Sequence, residues 1–264
     1  MTIQTLLFEN ECRKHLSNRV YWFIVLFPCT WVLLAFFSML SMPLSDFRQI
    51  VSLTSGDFNP SHFYQNSLKT PMRFLLTIYY VALVIYVVDV EHSGNTWKYL
   101  FTLPIKPKDI IWAKFFFLIV SVLFSFVLFN IFFIISQALL EHYRSDFGYE
   151  RYPNNAWIVT IMIIKIYFTS FFNIICILLL TLRLQDYGLV FLIAILVHFV
   201  PIPPYNPFNL YFTALGKQHF LLKQQGIENF NIIYLFDFKE LLILCAFLIP
   251  YLITSFYSHY LIKS

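Results

Sequence analysis

Few side chains in this sequence have a type and spacing that could do chemistry. Lys165 stands inside a long apolar run, where an unpaired charge is costly; it either lines a water-filled path or substrate contact, or is a snorkelling or paired structural residue. His198, near the end of another run, could titrate near neutrality, but a lone histidine there reads as a hydrogen-bonded packing residue. Asn130 and Asn173 lie in apolar runs where an amide can bond across helices for roughly 0.6 to 2 kcal/mol. Cys12, Cys29, Cys176 and Cys245 have neither metal-ligand nor disulfide spacing and read as small apolar fillers. H-E-x-x-H, G-x-S-x-G and paired-glutamate motifs are absent, which argues against an intramembrane hydrolase. A G-x-x-x-x-G-K-[ST] phosphate-binding loop is also missing, and six glycines in all could hardly build one. ATP hydrolysis is therefore not expected of this chain, nor a cofactor bound to it.

The most informative segment runs from Glu91 through Trp97, Lys98, Leu100 and Leu103 to Pro104, then on to Lys114. Asn95 or Thr96 can cap a short helix whose Trp97, Leu100, Phe101 and Leu103 project apolar bulk, and Pro104 limits its extension. Such a helix either docks a partner or lies on lipid headgroups, where tryptophan is favoured. Pro107 then suits the first turn of a long helix, with Asp109 near its positive end.

The elements that must position these residues are dictated by solvent. Of 264 residues, 59% are hydrophobic and only 12% charged, against about 25% in a soluble domain. A bilayer core of about 30 Å needs roughly 20 helical residues. Residues 21–40, 74–90, 111–140, 157–182, 188–202 and 241–262 qualify, the second and fifth being short. Stretches such as 115–133 are apolar on every face, unlike the alternating strands of a barrel. The expectation is an all-α integral membrane protein with six transmembrane helices in a single domain over 1–264. Its basic residues are scattered, so nucleic acid is not an expected partner.

Residues 1–20 are too polar to span. Phe8, Cys12 and Leu16 recur at helical spacing, which suggests a helix lying at the membrane surface; the alternative is a frayed basic tail, because Glu9 intrudes on the apolar arc. Glu9, Glu11, Arg13 and Lys14 precede a run too long for a cleavable signal, so the first span is expected to be retained. With six spans both termini share a side. The basic groups on the two sides nearly balance, but those on the termini side sit on shorter loops, favouring cytoplasmic termini. Pro201, Pro203, Pro204 and Pro207 end the fifth span. Beyond them, Gly216 and Gly226 are placed like C-terminal caps of two short external helices within 203–236, and Asp237 with Glu240 resembles a capping box opening the last helix.

This order of parts resembles the permease subunit of a type-2 ABC transporter, in particular the lantibiotic-immunity and bacitracin-resistance permeases. The motif that carries the resemblance is Glu91, Gly94, Thr96, Trp97, Lys98, Leu100, Leu103, Pro104 and Lys114. The resemblance implies a connecting helix over 2–17, a coupling helix around 95–103 in the loop 91–110, and a second coupling contact over Arg183–Asp186. It also implies a second permease chain, identical or not, and a cytoplasmic ABC ATPase subunit that carries the ATP and Mg. The expected function is export of an amphiphilic peptide or antimicrobial across the bacterial cytoplasmic (inner) membrane, in contact with membrane lipids. The rival is an ion-coupled secondary transporter; it predicts internal repeats, which are not evident, and helices broken at mid-membrane, for which Pro28 and Pro250 are the candidates.

Overall fold

In the computed structural model the described residues are 3–53, 59–93, 105–149, 156–184 and 186–199, and among them the chain is helical with no strand. The sixth span at 241–262, the external segments at 203–236, Pro250 and most of the coupling loop lie outside the described residues.

Helix α1 (Ile3–Leu16) ends at an elbow and α2 (Arg19–Ser41) begins at once. Two local bonds make the elbow. Asn18 caps α2, its Oδ1 accepting from the Val20 N–H at 2.9 Å, and the Trp22 indole donates to the Leu16 carbonyl at 2.9 Å. Both supply partners to backbone groups that helix ends leave unsatisfied. Pro28 does not break α2, which continues through it to Ser41.

Helix α3 (Leu44–Leu53), which the hydropathy pattern did not suggest, is short and amphipathic. Helix α4 (Pro60–Ser93) starts well before the expected residue 74. Its first turns carry Ser61, Tyr64 and Leu68, all buried, so polar-looking sequence there is covered by neighbouring helices instead of lipid. Helix α5 (Pro107–Tyr143) has Pro107 in its first turn and Asp109 beside it. Its 37 residues reach about 55 Å, longer than a bilayer core. A 3-10 turn over Ser145–Phe147 follows and closes at Gly148, whose φ of 76° suits glycine. Helices α6 (Ala156–Leu184) and α7 (Tyr187–Phe199) complete the described bundle.

Three stretches, Arg19–Ser41, Lys108–Tyr143 and Val159–Leu184, are long and apolar enough to cross a membrane, and Tyr187–Leu196 is a shorter apolar helix. α2 packs on α5 and α4, α1 lies along α5, and α6 fills between α4 and α5 with α7 against α4 and α6. Outward faces carry Phe23, Leu34, Phe37, Phe116, Ile135 and Leu192, exposed as lipid requires.

Hydroxyls knit the interior where glycine contacts are scarce. The Ser125 hydroxyl donates to the Val25 carbonyl at 2.7 Å, Tyr21 Oη donates to Ser121 Oγ at 2.9 Å, and Tyr64 Oη meets Ser136 Oγ at 2.6 Å. Thr160 donates to Asn130 Oδ1 at 3.1 Å, a hydrogen bond to an amide between α6 and α5 of the kind the sequence suggests, and Asn173 is buried.

Candidate functional site

Where α4 ends and α5 begins, a cluster of charges is buried. Glu91 and Lys114 come from the two helices that flank the 94–104 loop; Glu11, Lys14 and His15 come from α1. Lys114 Nζ lies 2.9 Å from Glu91 Oε1 and 3.0 Å from Glu11 Oε2. Lys14 Nζ donates to Glu11 Oε1 and to Glu91 Oε1, each at 3.0 Å. Two carboxylates and two ammonium groups thus form one closed set with no net charge.

Burial gives the set its weight. Lys114 is fully buried, Glu91 is 1% and Glu11 4% exposed, whereas Lys14 keeps an edge to solvent. A buried charge without a partner costs several kcal/mol, so each member holds the others in place. Burial alone would raise the Glu11 pKa; the neighbouring His15 ring and the Lys114 and Lys14 ammonium groups outweigh it and hold the carboxyl down to about 2. For Lys14 burial works toward neutrality, but Glu11 and Glu91 win and raise its pKa above the usual lysine value.

His15 is fully buried between α4 and α5, its ring centroid 4.9 Å from Phe117 and 5.4 Å from Tyr86. Its Nε2 sits 3.4 Å from Glu11 Oε2 without the alignment of a hydrogen bond. The face that α1 turns to the bundle is therefore Phe8, Glu11, Cys12 and His15, one stripe at helical spacing. Leu16, which hydropathy grouped with Phe8 and Cys12, is 45% exposed. Electrostatic pairing with α4 and α5 fixes the rotation of α1, with Phe8 and Cys12 still facing the bundle and Leu16 turned away. Glu9, by contrast, only pairs with exposed Arg13 at 2.6 Å, an arrangement of little energetic weight.

The second expected contact segment lies at the same end of the bundle. Arg183 is exposed in the last turn of α6, where a cation complements the helix dipole. Asp186 caps α7, its Oδ1 accepting from the Leu189 N–H at 3.1 Å and its carbonyl from the Val190 N–H at 3.0 Å. The next residue, Tyr187, lies beside Asp89 near the end of α4. Glu91 and Arg183–Asp186 are thereby tied to one end of the bundle, while Arg144 and α3 mark the other.

Of the residues singled out in sequence, Trp97, Lys98, Leu100, Leu103 and Pro104 lie outside the described residues. Lys165 sits on α6 and His198 on α7, but their side chains lie outside the described ones. Glu91 and Lys114 meet directly. Glu11, Lys14 and His15 were not anticipated as a site, although Glu11 and His15 at i, i+4 on the stripe of Phe8 and Cys12 were a legible signal.

Among the described residues no group of acidic, histidine or cysteine side chains is arranged to hold a metal. The cluster fastens three chain segments together, α1, the end of α4 and the start of α5. No curated protein and no solved structure matches the chain. A family model described as ABC-2 family transporter protein matches residues 7–201, about three quarters of the chain, and runs from within α1 to beyond α7 with the whole charge cluster. The chain belongs to the ABC-2 family and is a multi-pass membrane component of an ABC transporter.

Proposed function

We propose that the chain is the permease subunit of an exporter, driven by ATP that a separate cytoplasmic ATPase subunit hydrolyses with its own Mg, and that it works paired with a second permease chain. The observation that supports this reading is the Glu91–Lys114 pair with Lys14 and Glu11. Both stems of the 94–104 loop, together with α1, are joined by charges, so a push on the loop would be felt by the bundle as a whole instead of being lost in a loose connection. In this reading Trp97, Leu100 and Leu103 dock on the ATPase, Lys98 and Pro104 shape that surface, and Arg183–Asp186 makes the second contact. Closure of the ATPase pair on ATP would rock the permeases between inward- and outward-facing states.

The proposed topology has six spans, the last over 241–262, with short external helices over 203–236 and both termini in the cytoplasm of a bacterial cell. The proposed cargo is an amphiphilic peptide, in keeping with the resemblance to lantibiotic-immunity and bacitracin-resistance permeases, and Lys165 is proposed to line its path. The chain itself binds no nucleotide and catalyses no reaction.

The test is co-expression with its neighbouring genes, purification in nanodiscs, and assay of co-purifying protein and ATP hydrolysis, with Leu100→Asp, Leu103→Asp as the control. Wild type should retain the ATPase and stimulate its turnover, and the double variant should lose both. If no ATPase is retained under any mild condition, the reading fails, and an ion-gradient flux assay would then test a secondary transporter.

A further inference from the structure

Between the N-terminal half of α1 and the flank of α5 lies a groove of about 340 Å³, its walls including Thr5, Phe8, Trp112, Ala113, Phe116 and Val120. Phe116 and Val120 are half exposed, as are Ile3 and Leu6 on α1, so the groove opens onto the apolar surface the bundle offers to lipid.

Along α5, Lys108, Trp112, Phe116, Val120 and Phe124 recur every fourth residue and form one stripe. Read from the helix start, the stripe runs ammonium, indole, hydrocarbon. A phospholipid has the same order from phosphate through glycerol to acyl chain, and tryptophan favours the middle level. Lys106 and Lys108 are exposed, and neither makes an ion pair among the described residues. They flank the N-terminal turn of α5, where the helix dipole adds partial positive charge; Asp109 offsets only part of it.

We propose that this groove binds an anionic phospholipid, its acyl chain along Phe8, Phe116 and Val120, its glycerol level beside Trp112, and its phosphate against Lys108 and the first turn of α5. Ala113 adjoins Lys114, so the lipid sits directly behind the buried charge cluster and wedges α1 in the position the cluster requires. The site goes beyond the transport reading and does not depend on it. A second copy of the chain is the rival occupant; an exposed ammonium at the head of the stripe favours the lipid, whose phosphate neutralises it.

The full chain in nanodiscs would be irradiated with acyl-diazirine phosphatidylglycerol or acyl-diazirine phosphatidylcholine, and the labelled peptides identified. Phosphatidylglycerol should label residues 112–120 about fivefold more than phosphatidylcholine, the discrimination one lysine near a membrane surface provides. Thr5→Trp, at an exposed rim position, should fill the groove and abolish labelling there. Lys108→Glu, also exposed, should remove the preference while leaving labelling, and decides the charge assignment even if Thr5→Trp alters folding. Equal wild-type labelling by the two lipids overturns the proposal, as does a preference that Lys108→Glu leaves intact. Chain-to-chain cross-links through residues 112–120 in place of lipid adducts would also overturn it, in favour of the second copy.

Discussion

Glu91, at the end of α4, and Lys114, in the second turn of α5, stand 2.9 Å apart and almost wholly out of water. They join the two helices on either side of residues 94–104, and Lys14 and Glu11 fasten α1 to the same knot. The pairing ties the end of α4 to the start of α5 and both to α1, which leads to the first expectation.

Removing one member should be far worse than removing a balanced pair. Lys114→Met or Glu91→Gln alone should cost roughly 3 to 5 kcal/mol, because the three charges that remain no longer balance in a place almost wholly out of water. Glu91→Gln with Lys114→Met leaves Glu11 and Lys14 matched and should recover most of that loss. Thermal unfolding in detergent measures it; strictly additive losses would show that the pair is not coupled.

The acid limb of stability should belong largely to Glu11. Its carboxyl pKa falls from 4.5 to about 2 on folding, so its contribution is complete above pH 4.5 and disappears as pH drops toward 2. Melting temperatures between pH 6 and 3 should therefore fall in wild type, and less in Glu11→Gln, which starts lower and stays flatter. Lys14 acts in the opposite window: its pKa is raised on folding, so its contribution persists below the usual lysine value and is lost as pH climbs through the folded one.

At the far end, Arg144 should matter to stability and not to coupling. Its Nη1 donates to the carbonyls of Met39 at 3.2 Å, Leu40 at 2.7 Å and Met42 at 2.9 Å, while its guanidinium carbon lies 3.8 Å from the centre of the Phe147 ring. One side chain thus caps the end of α2. Arg144→Ala should destabilise by about 1 to 3 kcal/mol, and Arg144→Lys should rescue only partly, since an ammonium lacks the planar fork. ATPase stimulation per folded molecule should be unchanged in both.

Asp186 separates two roles that share one residue. Asp186→Ala should lose the cap on α7 and about 1 kcal/mol, whereas Asp186→Asn keeps an accepting oxygen and nearly full stability. If Asp186 also meets the ATPase through its charge, Asp186→Asn should lower stimulated ATP hydrolysis while melting like wild type. Unchanged hydrolysis in Asp186→Asn would confine the residue to capping.

Hydropathy located α2, α5, α6 and α7 because a membrane helix must be apolar all round, and that demand is written residue by residue. Pro107 and Asp109 marked the start of α5 for an equally local reason. The N-terminal turns of α4 were illegible, because their Tyr64 and Ser61 are acceptable only when covered by other helices. Pro28 was ambiguous too, since whether proline breaks a helix depends on what packs around it.

The sequence by itself determined that this chain must live in a bilayer as a bundle of helices. Only the tertiary structure decided which face α1 presents and that Glu11, Lys14, Glu91 and Lys114 form one neutral set. Hydrophobicity is a property each residue carries alone. A buried charge is tolerable only through partners that, here, lie far away along the chain, and their meeting is settled only when the helices pack.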